Sequence, residues 1–550
     1  MVEPYLNQVG GKVNDDVSLF TGGLNTYTDK AFLESNQMPY VMNMTMRQPP
    51  AIQTRNSRMT LANYMTDQQL PWNSGEITKM WAYNQDLIYF IRKRDALTYD
   101  LCLLKKNGTS YDYDVIHTDT AGNYADVYFC YGRTDTDEFL YLGSETFKAK
   151  MILGAENPLA QYYDSYTGHF GIPCWHKSRL WLLRPSNGEI EWSNALDPDN
   201  FLIGYDDPDT PTYYGDSGVL PITSQNGRGA LTGLVSFDDK LIVFCEHSIH
   251  AIYGSSGVQR WSDTKEQDPN YFQVIDLLGH IGCLSMDHFA VSAGKIYWYG
   301  DDKQIYEYTG ASINMLSRPG KTRNSTLSIG GVDNVLNKLT VTKLEATSNT
   351  LYVDTREGYM FVFDAYNRVW WCEDGGFATL ANYSQAYDNL LMTTTEGDIL
   401  TYDPSMNVNA GRDEIYDWEK EEPVLKDIEF EFHTRVYGAD GTDVRKTLSE
   451  VWTQMYCVNG YGDVYINDVW CEYDIWKNSR ETAEKRYKKI GSFDVNGTRG
   501  SLDLYQPQTY EQRHFIVEKM YGERLNTFQV IVKGALFAKF FLMKREWRAR

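Results

Sequence analysis

Cys245, His247 and His250 are the residues of this chain whose types and spacing come nearest to a metal centre. Zinc asks for about four nitrogen or sulfur ligands, with short-range pairs that set the geometry. Cys245 and His247 share one face of a predicted strand, whereas His250 lies across the predicted turn and no fourth ligand is adjacent. A thiol and imidazoles at the core or flank of a hairpin are expected there, and no metal ligand is assigned. Asp135–Glu138 (DTDE) and Asp206–Asp209 (DDPD) concentrate carboxylates but lack the alternating array, glycine and trailing carboxylate of a calcium loop. Ordinary turn chemistry accounts for both.

The anchors of common catalytic sites are also missing. No glycine-rich phosphate cradle occurs, and Gln225–Gly229 (QNGRG) is a glycine turn with one arginine. No G-x-S-x-G elbow offers a nucleophile. Glycoside hydrolysis needs two carboxylates at a set separation, and 74 acidic residues give no means of choosing a pair. The nearest match to the S-x-D-x-G-x-x-W box of sialidase-type propellers is Ser186–Trp192 (SNGEIEW), which lacks the Asp; Thr395–Leu400 (TEGDIL) is no better. No catalytic, cofactor-binding or metal residue is therefore assigned, no cofactor is expected, and the binding residues stay open. Trp298, Trp370 and Trp371 fall inside strand-like runs, where core packing is expected.

These residues sit on a repeated pattern. Six segments read as an apolar, aromatic run, a short polar or Gly/Asp turn, and a second alternating run: Asp86–Leu101, Arg179–Ser193, Lys240–Gly254, Lys295–Gly310, Thr350–Asp364 and Asn389–Asp403. A seventh, degenerate copy lies around Phe139–Gly143. Period-two side chains about a tight turn predict antiparallel hairpins. One hairpin cannot bury its apolar face alone, so the repetition predicts the blades of a propeller, six or seven in number.

Composition agrees. Hydrophobic residues make up 42% of the 550, with 41 Tyr and 14 Trp, a bias toward strands. Long helical periodicity is hard to find, Glu481–Lys489 being the best short candidate. The net charge of −22 argues against sequence-independent phosphate binding, which needs a basic face. The eight cysteines are scattered without a CxxC pair, which predicts buried free thiols in a reducing compartment. The start MVEPYLNQVG has no basic and apolar leader, and no run approaches the roughly eighteen apolar residues of a membrane span. Synthesis in a cytoplasm without membrane insertion is expected.

The organisation expected along the chain has four parts. Residues 1–75 are short strands, 76–405 the β-propeller, 406–423 a polar linker rich in acids, and 424–550 a second β-rich part resembling a β-sandwich. In this last part Ile428–Val436, Glu450–Val458, Asp463–Ile466, Phe515–Val517 and Phe528–Val532 read as strands. The loop Asp197–Gly218 interrupts a blade, and the basic end Lys539–Arg550 reads as a solvated tail or a docking strand for a neighbouring subunit.

Phe20–Thr26 (FTGGLNT), Asn43–Arg47 (NMTMR) and Arg55–Arg58, with the blade phrases Ile190–Phe201, Gly233–Gly254 and Ile281–Gly300, resemble the tail nozzle, or tail tubular protein B and packaged-DNA-stabilisation, proteins of short-tailed phages. The likeness is one of style spread over about residues 20–400. It implies a non-enzymatic virion protein of the tail, assembled in the host cytoplasm. It also implies a platform built jointly from the N- and C-terminal segments. The implied partners are copies of itself in a ring, a homohexamer, with tail adaptor proteins, tail fibres and genomic DNA passing through the lumen without sequence-specific binding. Two other readings fit the residues: a receptor-binding, glycan-binding or glycan-degrading propeller, and a cellular propeller scaffold for protein partners.

Overall fold

The computed structural model describes residues 12–17, 20–47, 51–61, 72, 75–84, 86–108, 110–153, 162–163, 168–201, 216–222, 228–255, 272–318, 330–384, 389–403, 411–437, 446–457, 459–467, 488–494, 514–515, 518–519 and 527–549. Seven four-stranded antiparallel sheets follow one another as blades. Blades 1 to 6 begin with the inner strands Ile77–Ala82, Tyr128–Arg133, Ile172–His176, Leu231–Phe237, Phe289–Ser292 and Val341–Ala346. Blade 7 is made of Thr379–Ser384, Asn389–Thr393, Ile399–Tyr402 and, as its outermost strand, Arg58–Thr60.

Each predicted hairpin forms the second and third strands of a blade. Their near-continuous apolar runs follow from burial on both sides. In Leu87–Lys93, Ile88 and Phe90 join a cluster with Leu391 and Ile399 of blade 7, while Tyr89 and Ile91 join one with Leu140 and Leu142 of blade 2. The same division recurs in blade 6, where Tyr352 packs toward blade 7 and Leu351 and Val353 toward blade 5. Full burial of such a side chain is worth about 1.5–3 kcal/mol, so a blade held between two others gains on both faces. Separate clusters join every neighbouring pair of blades, including 7 to 1, and the ring is closed. Trp298, Trp370 and Trp371 lie in this core, essentially without exposure.

Two further sheets form the platform, and each mixes the two ends of the chain. In one, Tyr40–Met42 pairs with Glu429–Tyr437, which continues through Phe528–Ala535 and Tyr461–Asn467 to Lys488–Asp494. In the other, Ala538–Ala549 runs between Lys446–Cys457 and the N-terminal strands Lys12–Val17 and Ile52–Thr54. Phe540 of the second sheet meets Phe432 of the first at 5.2 Å between ring centroids, edge to face. Their cluster continues into blades 6 and 7 through Trp371, Leu390 and Tyr402.

The structure corrects several expectations. The propeller does not start at residue 76, because Arg58–Thr60 closes blade 7 in the register Leu400↔Thr60 and Tyr402↔Arg58. Ring closure demands an outer strand that the end of the repeat does not supply. The linker expected over 406–423 contains, among the described residues, a hairpin of Arg412–Asp417 and Glu422–Asp427 with Tyr416 buried. The basic end is neither a tail nor a strand for a neighbour, since Ala538–Ala549 is paired on both sides within its own chain. Much of the helix candidate Glu481–Lys489 lies outside the described residues, and Lys488 and Lys489 begin a strand.

Candidate functional site at the propeller axis

The inner strands bring one polar cluster together at the centre of the ring. Blade 5 is entered through a single 3-10 turn, Met286–His288, capped by the Ser285 hydroxyl, which accepts from the Asp287 N–H at 3.2 Å. Asp287 lies between Lys79 of blade 1, at 2.9 Å, and Lys343 of blade 6, at 3.1 Å. Lys79 also stands over the ring of Tyr128 in blade 2, 4.1 Å from its centroid. Met286 packs on the cluster shared by blades 3 and 4, and the His288 ring meets Tyr299 of blade 5 edge to face. A turn reached from so many blades can lie only at the axis.

The two lysines share one acid, Asp287. Burial works against ionising Asp287, but Lys343 and Lys79 outweigh it and hold the carboxyl well below its usual range. Half-buried Glu345, two residues along the inner strand from Lys343, behaves oppositely: desolvation pushes it up to about 7. Burial also raises the Tyr128 phenol and lowers the His288 imidazole, so both stay neutral near pH 7. Removing one partner of a buried ion pair costs far more than the intact pair contributes, so this arrangement is one of locking and positioning.

The hairpin singled out by its metal-ligand types is a second polar cluster, in blade 4. His250 Nδ1 lies 2.8 Å from Asp276 Oδ1 and its Nε2 2.8 Å from the Ser248 hydroxyl. Arg228 pairs with the same aspartate at 2.9 Å. His247 turns away to Asp301, at 2.7 Å, and Cys245 is a buried free thiol. The order Ser–His–Asp matches a hydrolytic relay, but Ser248 and His250 are fully buried and no substrate could reach the hydroxyl. The relay ties the turn before the third strand, the third strand and the outer strand of blade 4 together. Sequence reading missed it because Asp276 lies 26 residues on. Of the acidic stretches, Asp135–Glu138 forms a hairpin turn with Thr134 and Asp137 bonded across it, and Asp206–Asp209 lies outside the described residues, as does most of Gln225–Gly229.

No family model matches the chain, and no curated protein matches it. Among solved structures it is similar to the WD40 repeats of RRP9, with 10% identity and a TM-score of 0.35 over 61% of this chain and 96% of that one. YCF48 bound to D1 peptide gives 10% identity and a TM-score of 0.36 over 61% and 95%. BamB from Moraxella catarrhalis gives 10% and 0.33 over 61% and 97%. At these values the likeness concerns the fold alone.

The expectation of a phage tail nozzle is corrected by this comparison, whose matches are WD40 and other β-propeller proteins and include no nozzle among those named. The phrases that suggested a nozzle have local structural causes. Ile190–Trp192 lies in a blade strand, and so does Lys295–Tyr299. Asn43, Arg55 and Arg58 form the polar joint between platform and propeller. Alternating aromatic strands are what any blade requires, so such phrases report architecture. The ring partners, adaptor, fibres and DNA rested on that resemblance.

Proposed function

We propose that the chain is a propeller scaffold that holds protein partners and carries out no chemistry of its own. The observation that carries this reading is the ion-paired turn at the axis. Asp287 and its two lysines fill the place where a propeller would admit a small molecule, which leaves recognition to the broad faces and the rim. The rim is unevenly covered. The outer strands of blades 6 and 7, Val369–Asp374 and Arg58–Thr60, are largely buried, against the N-terminal segment and the platform. Those of blades 3, 4 and 5, Gly218–Pro221, Gln273–Leu278 and Ile313–Met315, expose Val219, Ile275 and Met315. Such edges offer unpaired backbone groups and apolar side chains to another chain.

The test is affinity capture from the cells that make the protein, followed by reconstitution with purified candidates. A partner that binds directly and in fixed stoichiometry supports the scaffold. Capture no richer than that of an unrelated propeller would overturn it.

A further inference from the structure

On the propeller face formed by the ends of the inner strands, blades 1 to 3 carry a strip of partly exposed aromatic side chains. Trp81 is the penultimate residue of the blade 1 strand, and Tyr83 follows that strand. Tyr131 lies near the end of the blade 2 strand, and Trp175 is penultimate in blade 3. Trp81 stacks with Tyr131 at 6.4 Å between centroids and 18° between planes, and Tyr83 lies 5.7 Å from Tyr131. Gly132 keeps the strip continuous: a Cβ there would come within 2.8 Å of the Trp175 ring, so only glycine lets that indole lie against the strand. At the penultimate position of the inner strand, where blades 1 and 3 have Trp81 and Trp175, blades 4 to 6 have Ser236, Val291 and Glu345. The strip lies on the blade 1 to 3 side of the ring.

A carboxylate stands in this strip. Glu138, which begins the second strand of blade 2, accepts a hydrogen bond from the Tyr83 hydroxyl. The Tyr83 bond is the main reason that its carboxyl lies below the usual range, so it is charged at neutral pH. Its side chain keeps 31% exposure, and its other oxygen has only a loose pairing: Arg133 Nη1 lies 3.8 Å away on a side chain 70% exposed. Exposed pairs of this kind contribute little and exchange readily.

We infer that this strip is a docking surface for an arginine-bearing segment of a protein partner. An incoming guanidinium would take the place of Arg133 on Glu138 and lie against the tyrosine and tryptophan rings. Planar Arg suits this better than Lys, since it pairs with a carboxylate and stacks on aromatic faces at the same time. The net charge of −22 favours the approach of a basic segment over an acidic one. Trp, Tyr and Arg are also the residues in which binding energy concentrates at protein interfaces. The inference rests on the scaffold reading and names the chemistry of its partner.

The test uses the full chain and a fluorescein-labelled peptide of three Gly-Arg-Ser repeats, with its uncharged citrulline counterpart, read by anisotropy at physiological salt. Saturable binding of the arginine peptide, absent for citrulline, is expected. Glu138→Gln and Trp81→Ala should each weaken it about tenfold, while Asp427→Asn on the distant 412–427 hairpin leaves it unchanged. Glu138→Gln keeps an acceptor for the Tyr83 hydroxyl, and unchanged thermal unfolding would show that the face is intact. Equal binding by wild type and Glu138→Gln would overturn the inference, as would a glycan ligand that depends on Trp81 while the peptide does not bind. Partners captured equally by wild type and Glu138→Gln would sink this site and leave the scaffold reading standing.

Discussion

Arg55 and Asp413 are 358 residues apart in sequence and meet as a two-point fork, with Nη1 2.7 Å from Oδ1 and Nη2 2.5 Å from Oδ2. Arg55 is buried at the seam between platform and propeller, and Asp413 belongs to the hairpin that was expected to be a linker. Around them Asn43 accepts from Arg55 Nε at 2.9 Å, and Arg58 and the Tyr402 hydroxyl converge on Glu373 at 3.0 and 2.6 Å. One network thus joins the N-terminal segment, blades 6 and 7, and the 412–427 hairpin.

Breaking the fork should loosen that seam. Arg55→Met leaves the Asp413 carboxylate without its guanidinium, and a loss of about 3–5 kcal/mol is expected. Denaturant unfolding checks this, with a lower midpoint for Arg55→Met. Asp413→Asn should cost less, because it removes the charge and keeps an acceptor for the guanidinium. Burial opposes ionisation of Asp413, but Arg55 prevails and holds its carboxyl below the usual value. The stability it contributes is therefore present above its unfolded pKa of about 4 and is lost as pH falls through the lower folded value.

Gly23 marks a second point where the N-terminal segment touches the ring. Its φ of 65° is left-handed, and a Cβ there would come within 2.4 Å of Val369 and 2.7 Å of the Trp370 carbonyl oxygen. Gly23→Ala meets both the backbone penalty and a clash with a blade strand, so a destabilisation of at least about 1–2 kcal/mol is expected. Its check is a thermal unfolding comparison with Gly294→Ala, which shares a positive φ of 71° but has open space around it.

A pH effect should come from Asp398. It is buried at the closure of blade 7, where it accepts from the Thr60 hydroxyl and from the Tyr416 N–H at 2.7 Å. Desolvation pushes its carboxyl up to about 7 from an ordinary 3.8. The folded chain then holds this proton more tightly than the unfolded chain. The stabilisation is present at low pH, falls as pH rises across that interval, and is gone above it. Asp398→Asn should abolish this slope, gaining on wild type between pH 5 and pH 8 by about 1–2 °C in Tm, roughly what one or two kcal/mol produces in a chain of 550 residues. Parallel scans of the two proteins at both pH values measure it.

The sequence alone determined the blades. In Thr350–Asp364 or Asn389–Asp403 the alternation and the turn glycine are local properties, and local chemistry decides a hairpin. It also pointed to a platform shared by both ends, though only by way of a family whose function did not hold. The inner and outer strands were harder to read. Ile77–Ala82 alternates imperfectly because it lines a polar axis, and Gln273–Leu278 is largely exposed, so neither has a clean apolar face. What joins distant segments was decided only in three dimensions: Arg58–Thr60 completing blade 7, Asp413 receiving Arg55, Asp287 between Lys79 and Lys343. Each brings together residues more than fifty positions apart, and a carboxylate's partner at that range is chosen by ring closure and burial. No periodicity along the chain records that choice.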